Sequence, residues 1–378
     1  MNSLARSIYL LATLLAAWSQ AAVAQAASDL ETGVDQVVEA EMQRQKIPGV
    51  AVGVFQHGEP LIMKGYGYAN VEHEVPITPA TLFQSASIGK QFTAVATMLQ
   101  VEDGKVSLDE SIRTYFPDAP ASWQPVTVRQ LLNHTSGIAD YFEAMGTNGT
   151  EPFDVRRDYP PDELRKLFYQ LPMDFPAGSD WRYSNTGYAL LGFLIRRVSG
   201  RFYGDELEAR VFTPLGMDTA QVINEASIIP NRAAGYQLEN GEIRNQEWYA
   251  PLVNTTADGA LYLSLLDYLA WERGLRRRAI LTSAGWNEIY TPATLAGNGE
   301  YGYGLGWRIG QSKGGAWYHH SGSSQGFNLY FSRYIADDLA IVVLTNLYEG
   351  EPEYIVDGIA EIIDPAISKL VPAGTDGK

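Results

Sequence analysis

Apolar residues near the start of the chain recur at helical spacing. Leu30, Val34, Val37, Val38 and Met42 share one face, with Ser28 or Asp29 as N-cap and Pro48-Gly49 as the stop. Two strand-like runs follow, Val50 to Phe55 and Leu61 to Tyr68, around His57-Gly58-Glu59-Pro60, which reads as a hairpin turn. The period then returns to helix: Phe92, Val95 and Leu99 recur at i, i+3 and i+7, and Asp103-Gly104-Lys105 ends the run. From about 105 to 290 the pattern is helical and loop-rich. Thr127-x-x-Gln130 makes a capping box ahead of Leu131-Leu132, with Gly137 as its C-terminal cap. Residues 140–162 are polar without a period and read as a surface loop. The turn Phe175-Pro176-Ala177-Gly178 leads to Tyr183-Ser184-Asn185 and a helix that turns Leu190, Leu191, Leu194, Ile195 and Val198 inward. From Tyr303 alternation and β-branching predict strands over Leu305 to Ile309, Ala316 to Ser321, Phe327 to Tyr334 and Leu339 to Leu344. An amphipathic helix from about Tyr354 to Ile363 follows, and 371–378 reads as a frayed tail.

The simplest architecture is α/β (α+β): an antiparallel sheet built from both chain ends and flanked by helices, with a mainly helical subdomain between. Its expected bounds are 27–104 with 291–370 for the sheet subdomain and 105–290 for the helical one. The first 26 residues change the picture by dropping out of it. Arg6, the apolar run Ile8 to Trp18 and the small residues around Ala22-Val23-Ala24 and Ala24-Gln25-Ala26 read as a cleavable secretory signal, too short for a membrane span. The mature protein is therefore expected in the periplasm or secreted, without a stable membrane anchor. A net charge of −16 argues against nucleic acid or an anionic membrane as partner. With no cysteine, disulfides and thiolate metal sites are out, so an exported chain must be stable through its core. The 22 Tyr, 13 Phe and 8 Trp are read as filling that core.

Candidate chemistry begins at Gln84-Ser85-Ala86-Ser87-Ile88-Gly89-Lys90-Gln91, which leads into the Phe92 helix. Ser87 is expected in its first turn and Lys90 one turn on, so hydroxyl and amine share a face. A helix N-terminus and an apolar surrounding both favour a neutral amine, and a serine beside a neutral lysine is an activated nucleophile. An ordinary helix start with a solvated lysine is the bland reading, and Ser-x-x-Lys alone does not exclude it. Tyr183 beside an amine can shuttle a proton, and the Asn185 amide can bind a carbonyl; alone, the pair is an ordinary turn. Strand alternation puts Tyr318, His320 and Gly322 on one face and Trp317, His319 and Ser321 on the other, so one histidine faces a cleft, and His320 is favoured. His57, His73 and His134 form no ligand motif, and His134 is read as structural; neither metal nor cofactor is expected. Gly322-Ser323-Ser324-Gln325-Gly326 fits the Gly-x-Ser-x-Gly elbow. That fold requires a later catalytic histidine, and none follows His320.

Ser87-x-x-Lys90, Tyr183-x-Asn185 and His320-x-Gly322, in this order, resemble the serine β-lactamase and penicillin-binding protein superfamily, in its class C-like branch of esterases, D-aminopeptidases and DD-carboxypeptidases. Leu131 to Gly137, Tyr183 to Leu191, Pro214-Leu215-Gly216-Met217, Tyr301 to Trp307 and Gly326-Phe327 extend the likeness over about 30–365. The resemblance implies a β-lactamase/transpeptidase-like fold and acyl-enzyme chemistry. Ser87 would be the nucleophile, Lys90 its base and Tyr183 the proton relay. Asn185 would bind a substrate carbonyl, and the N–H groups of Ser87 and Ser323 would form the oxyanion hole. The departure is His320-Ser321-Gly322 where β-lactamases carry Lys-Thr-Gly. A histidine is no fixed cation at neutral pH, so β-lactam turnover is less expected than cleavage of small esters, amides or D-amino-acid peptides. Lys313-Gly314-Gly315 also fits Lys-x-Gly but falls in an apparent turn, so His320 is preferred. The alternatives are a class C-like β-lactamase or DD-carboxypeptidase and, of another kind, a non-catalytic binding or filament-forming relative.

Overall fold

The computed structural model describes Gln25 and residues 27–367, apart from 145–156, Glu247, Tyr249, 252–254, Asn298 and Gly314. The expected signal and the frayed tail lie outside these residues, except for Gln25, as does the middle of the expected 140–162 loop. Its flanks are partly helical, Tyr141–Ala144 and Pro161–Phe168. No helix among the described residues is long and apolar enough to cross a membrane.

A helix over 27–45 (α1) precedes the hairpin strands Gly49–Gln56 (β1) and Glu59–Asn70 (β2) and the short strand Val75–Pro76 (β3). Four strands return near the end: Arg308–Ser312 (β4), Gly315–Ser324 (β5), Phe327–Tyr334 (β6) and Leu339–Thr345 (β7). They form one sheet in the order β4-β5-β6-β7-β1-β2-β3. The two chain ends join where β1 pairs antiparallel with β7, Val52 opposite Val343.

Alternation sorts the sheet's side chains into two cores. Val50, Val52, Val54, Ile341 and Val343 face α1 and the last helix, Pro352–Ile363 (α5), whose Val34, Val38, Ile355 and Ile359 cover them. Ala51, Phe55, Val342, Leu344, Leu329 and Phe331 face the opposite side, against Lys90–Glu102 (α2), Asn185–Ser199 (α3) and Leu265–Arg276 (α4). Covered on both faces, β1 and β7 read as continuous apolar runs. The section between the sheet's halves also holds short strands, among them Leu261–Leu263 and the hairpin Tyr236–Glu239 with Glu242–Asn245.

Three local expectations are corrected. Ser28 and Asp29 lie inside α1 rather than capping it. The helix Val128–Leu132 keeps its Thr127 capping box but ends at Asn133. Gly137 instead takes φ +74° where a Cβ would stand 2.1 Å from the Phe175 carbonyl. The strand expected over Leu305 to Ile309 begins only at Arg308. Leu305 and Trp307 are buried in the core, and Gly306, at φ +78°, packs on the Lys90 backbone, where a Cβ would come within 2.8 Å of its carbonyl oxygen.

Candidate active site

Ser87 lies in a 3-10 turn, Ala86–Gly89, immediately before α2, which starts at Lys90. The expectation of Ser87 in the first α-helical turn is corrected: it stands three residues before α2 begins. Ala86 sits at φ +45°, a costly conformation for a residue with a Cβ. The turn is pinched from both sides. A Cβ on Gly322 of β5 would stand 2.7 Å from the Ser85 carbonyl oxygen and 3.2 Å from Ser87 N. One on Gly259 would stand 2.3 Å from the Ala86 carbonyl oxygen. Two glycines thus let two backbones clamp the serine's turn from either side. Ser87 is the one residue between Thr81 and Gln100 that is not buried.

Lys90 is fully buried, and its Nζ meets three acceptors: Ser87 Oγ at 3.1 Å, Asn185 Oδ1 at 2.7 Å and the Asp258 carbonyl at 2.6 Å. It also lies 4.8 Å from the centre of the Tyr183 ring and 5.5 Å from that of Tyr188. Asn185 is the first residue of α3, after the Ser184 N-cap. Its amide is oriented by Asp140, whose Oδ2 accepts from Asn185 Nδ2 at 2.8 Å and from Asn185 N at 2.6 Å. Burial pushes the Asp140 carboxyl above its usual range. Tyr183 is held by His134: the rings tilt together at 4.3 Å, and His134 Nδ1 accepts from Ser184 N at 3.1 Å. The Tyr183 hydroxyl is buried and has no hydrogen-bond partner among the described residues.

In front of Ser87 opens a cavity of about 260 Å³, lined by Asn185, Asp258, Ser323 and Ser324 and by the apolar faces of Phe142 and Ile223. Four of the residues singled out from sequence therefore converge: Ser87, Lys90, Asn185 and, over the lysine, Tyr183. Ser323 shares the cavity wall with Ser87. Gly322 touches the turn from behind. His320 does not reach the cavity: it is buried, with Nδ1 2.6 Å from the Ser321 carbonyl and Nε2 2.9 Å from the Tyr303 hydroxyl. A carbonyl only accepts, so Nδ1 carries the proton and Nε2 takes one from Tyr303. Burial, then the nearby Arg308 charge, push His320 well below the usual histidine range, and the ring is neutral at pH 7. Strand alternation holds around it. Trp317 stacks on His319 on the far face at 3.7 Å, and Tyr318 stacks on Tyr290 on the near one at 4.0 Å. Lys313, the competitor, is half exposed and ion-paired with Asp364, away from the cavity wall. Gln325 and Gly326 turn β5 into β6, so the Gly-x-Ser-x-Gly run is strand-turn-strand, not the strand-turn-helix of an elbow. Sequence reading missed Asp140, Asp258 and Gly259, lone residues in loops with no motif to flag them.

The profile of the Beta-lactamase family matches residues 34–362. Among individual proteins, the chain is 28% identical over 307 residues to a D-aminopeptidase of Gluconobacter oxydans, covering 79% of this chain and 56% of that protein. It is 29% identical over 311 residues to penicillin-binding protein 4* of Bacillus subtilis, covering 79% and 67%. The chain thus spans little more than half the length of the first relative. The fold is similar to an octameric penicillin-binding protein homologue from Pyrococcus abyssi, with TM-score 0.77, 28% identity and coverage of 90% of this chain and 78% of that one. It is also similar to D-amino acid amidase from Ochrobactrum anthropi, with TM-score 0.75, 26% identity and coverage of 89% and 99%. With the sheet, the buried Ser87–Lys90 contact and a family match over most of its length, the chain belongs to the beta-lactamase family of serine hydrolases.

Proposed function

We propose that the protein is an exported hydrolase of small esters and amides, D-amino-acid peptides among them, working through an acyl-enzyme on Ser87. The observation that carries this reading is the buried Lys90 amine 3.1 Å from Ser87 Oγ. Acting as the base, Lys90 donates to Asn185 Oδ1 and the Asp258 carbonyl and turns its lone pair to the serine hydroxyl. Ser87 Oγ then attacks the substrate carbonyl carbon and its proton passes to Lys90. Tyr183, over the lysine, hands a proton to the leaving oxygen or nitrogen as the old bond breaks, and later serves the water that releases the acyl group. The free hydrogen of Asn185 Nδ2 binds a substrate carbonyl. The N–H groups of Ser87 and Ser323 take the oxyanion, a contribution of about 3 kcal/mol per donor. His320 and Gly322 support this wall from behind, Gly322 by letting β5 touch the nucleophile's turn and His320 through Tyr303. The relatives named for D-aminopeptidase and D-amino acid amidase activity support amides as substrates. A neutral His320 gives no cation for the carboxylate of a β-lactam, so penicillin turnover is expected to be poor.

The test is the intact mass of the mature protein after brief exposure to a small serine-reactive phosphonate. One adduct on the wild type and none on Ser87→Ala is expected. An adduct on both, or full ester turnover by Ser87→Ala, would overturn the assignment.

A further inference from the structure

The cavity in front of Ser87 carries an acid that the reaction above does not use. Asp258 lines it and is 8% exposed. Its Oδ2 accepts from the Tyr141 hydroxyl at 2.8 Å, a neutral donor, and among the described residues no Lys or Arg pairs with the carboxylate. No Lys or Arg stands among the described residues of the cavity wall. A nearly buried carboxylate whose partner is neutral is costly unless a cation comes to it. Lys90 does not fill that role: its three contacts are Ser87, Asn185 and the backbone of Asp258. Asp140, behind Asn185, is a second acid beside the same lysine.

We propose that Asp258 is the subsite for a substrate ammonium, and that the enzyme selects esters and amides bearing a free amino group beside the scissile carbonyl, as in amino-acid amides. The position fits. Asp258 and Ser87 line the same cavity, and the Asp258 carbonyl is 2.6 Å from the amine that meets Ser87 Oγ. Phe142 and Ile223 give the same cavity an apolar wall that suits a substrate side chain. This assignment rests on the hydrolase reading but is separable from it.

The experiment compares kcat/KM for phenylalanine p-nitroanilide, in both configurations, with its N-acetyl derivative, on wild type and Asp258→Asn. The asparagine keeps an acceptor for Tyr141 and removes the charge. In the wild type the free amine is expected to lead by about tenfold or more for the preferred configuration, mostly through KM, and in Asp258→Asn the ratio falls to within about threefold of one. In parallel, 2-phenylethylamine and 3-phenylpropionate are compared as competitive inhibitors of p-nitrophenyl acetate hydrolysis by the wild type. Inhibition by the amine and not by the acid supports the subsite even where the variant fails to fold or anilides are not cleaved. Ester hydrolysis at Ser87 with no preference for the ammonium substrate and no inhibition by the amine overturns the subsite while the hydrolase reading stands. Absence of any acylation at Ser87 overturns both.

Discussion

Gly322 owes its role to what it lacks. A single methyl there would meet the Ser85 carbonyl at 2.7 Å and Ser87 N at 3.2 Å, and neither is a flexible side-chain end that could swing away. Gly322→Ala must therefore move either β5 or the Ser87 turn. A displacement near 1 Å at reacting groups costs on the order of 100-fold in rate. Gly322→Ala is expected to lower both ester kcat and the rate of phosphonate labelling by about that factor; labelling at the wild-type rate would show that the wall can yield. The sequence offered Ser87, Lys90 and Tyr183 because motif spacing marks them. It offered nothing for Asp140 or Asp258, whose meaning comes from partners 45 residues away at Asn185 and 117 away at Tyr141.

Elements are held to one another by contacts that no period shows. Arg333 on β6 and Glu272 on α4 are both buried and joined by two hydrogen bonds, Nε to Oε2 at 2.5 Å and Nη2 to Oε1 at 2.9 Å. Removing one partner leaves a charge in the core. Glu272→Ala is expected to cost about 3–5 kcal/mol, whereas the apolar pair Glu272→Leu with Arg333→Met recovers much of that loss. Urea denaturation of the wild type, the two single variants and the double variant measures this, and additive losses would contradict it. Periodicity did locate α3, with Leu190, Leu191, Leu194 and Ile195 all buried, and the alternation of β5. It misplaced β4 by three residues, because Leu305 and Trp307 are apolar for the sake of the core and Gly306 is drawn against the start of α2.

Across the whole molecule, the buried histidines set a response to acid. Burial pushes His319 down to about 3, and His134 and His320 well below the usual range. Below about pH 6.5 the unfolded chain binds protons at these rings and the folded chain does not, so acid favours unfolding. From pH 7 to 5 the His319 ring removes about 2 kcal/mol of stability, and His134 and His320 act in the same direction. Asp357, half-buried and pushed up to about 6 by burial, takes up its proton first in the folded state and returns at most about 1 kcal/mol, less after solvent screening. The urea midpoint is expected to fall clearly between pH 7 and 5 and to stay flat from 7 to 8. An unchanged midpoint at pH 5 would mean that the rings take up protons without unfolding.

The sequence by itself determined the elements that repeat and the family they belong to. Helical and strand periods are local, and one face of each must be buried whatever the partner. It also marked Ser87 and Lys90 as a candidate pair, three residues apart, and in the structure the two side chains meet at 3.1 Å. Only the tertiary structure decided that His320 stands behind the cavity while Ser323 lines it. It alone brought Asp140 under Asn185 and set Asp258 before Ser87. These are meetings across dozens to hundreds of residues, fixed by how the two ends of the chain close one sheet around β1 and β7 and by where glycines let backbones touch.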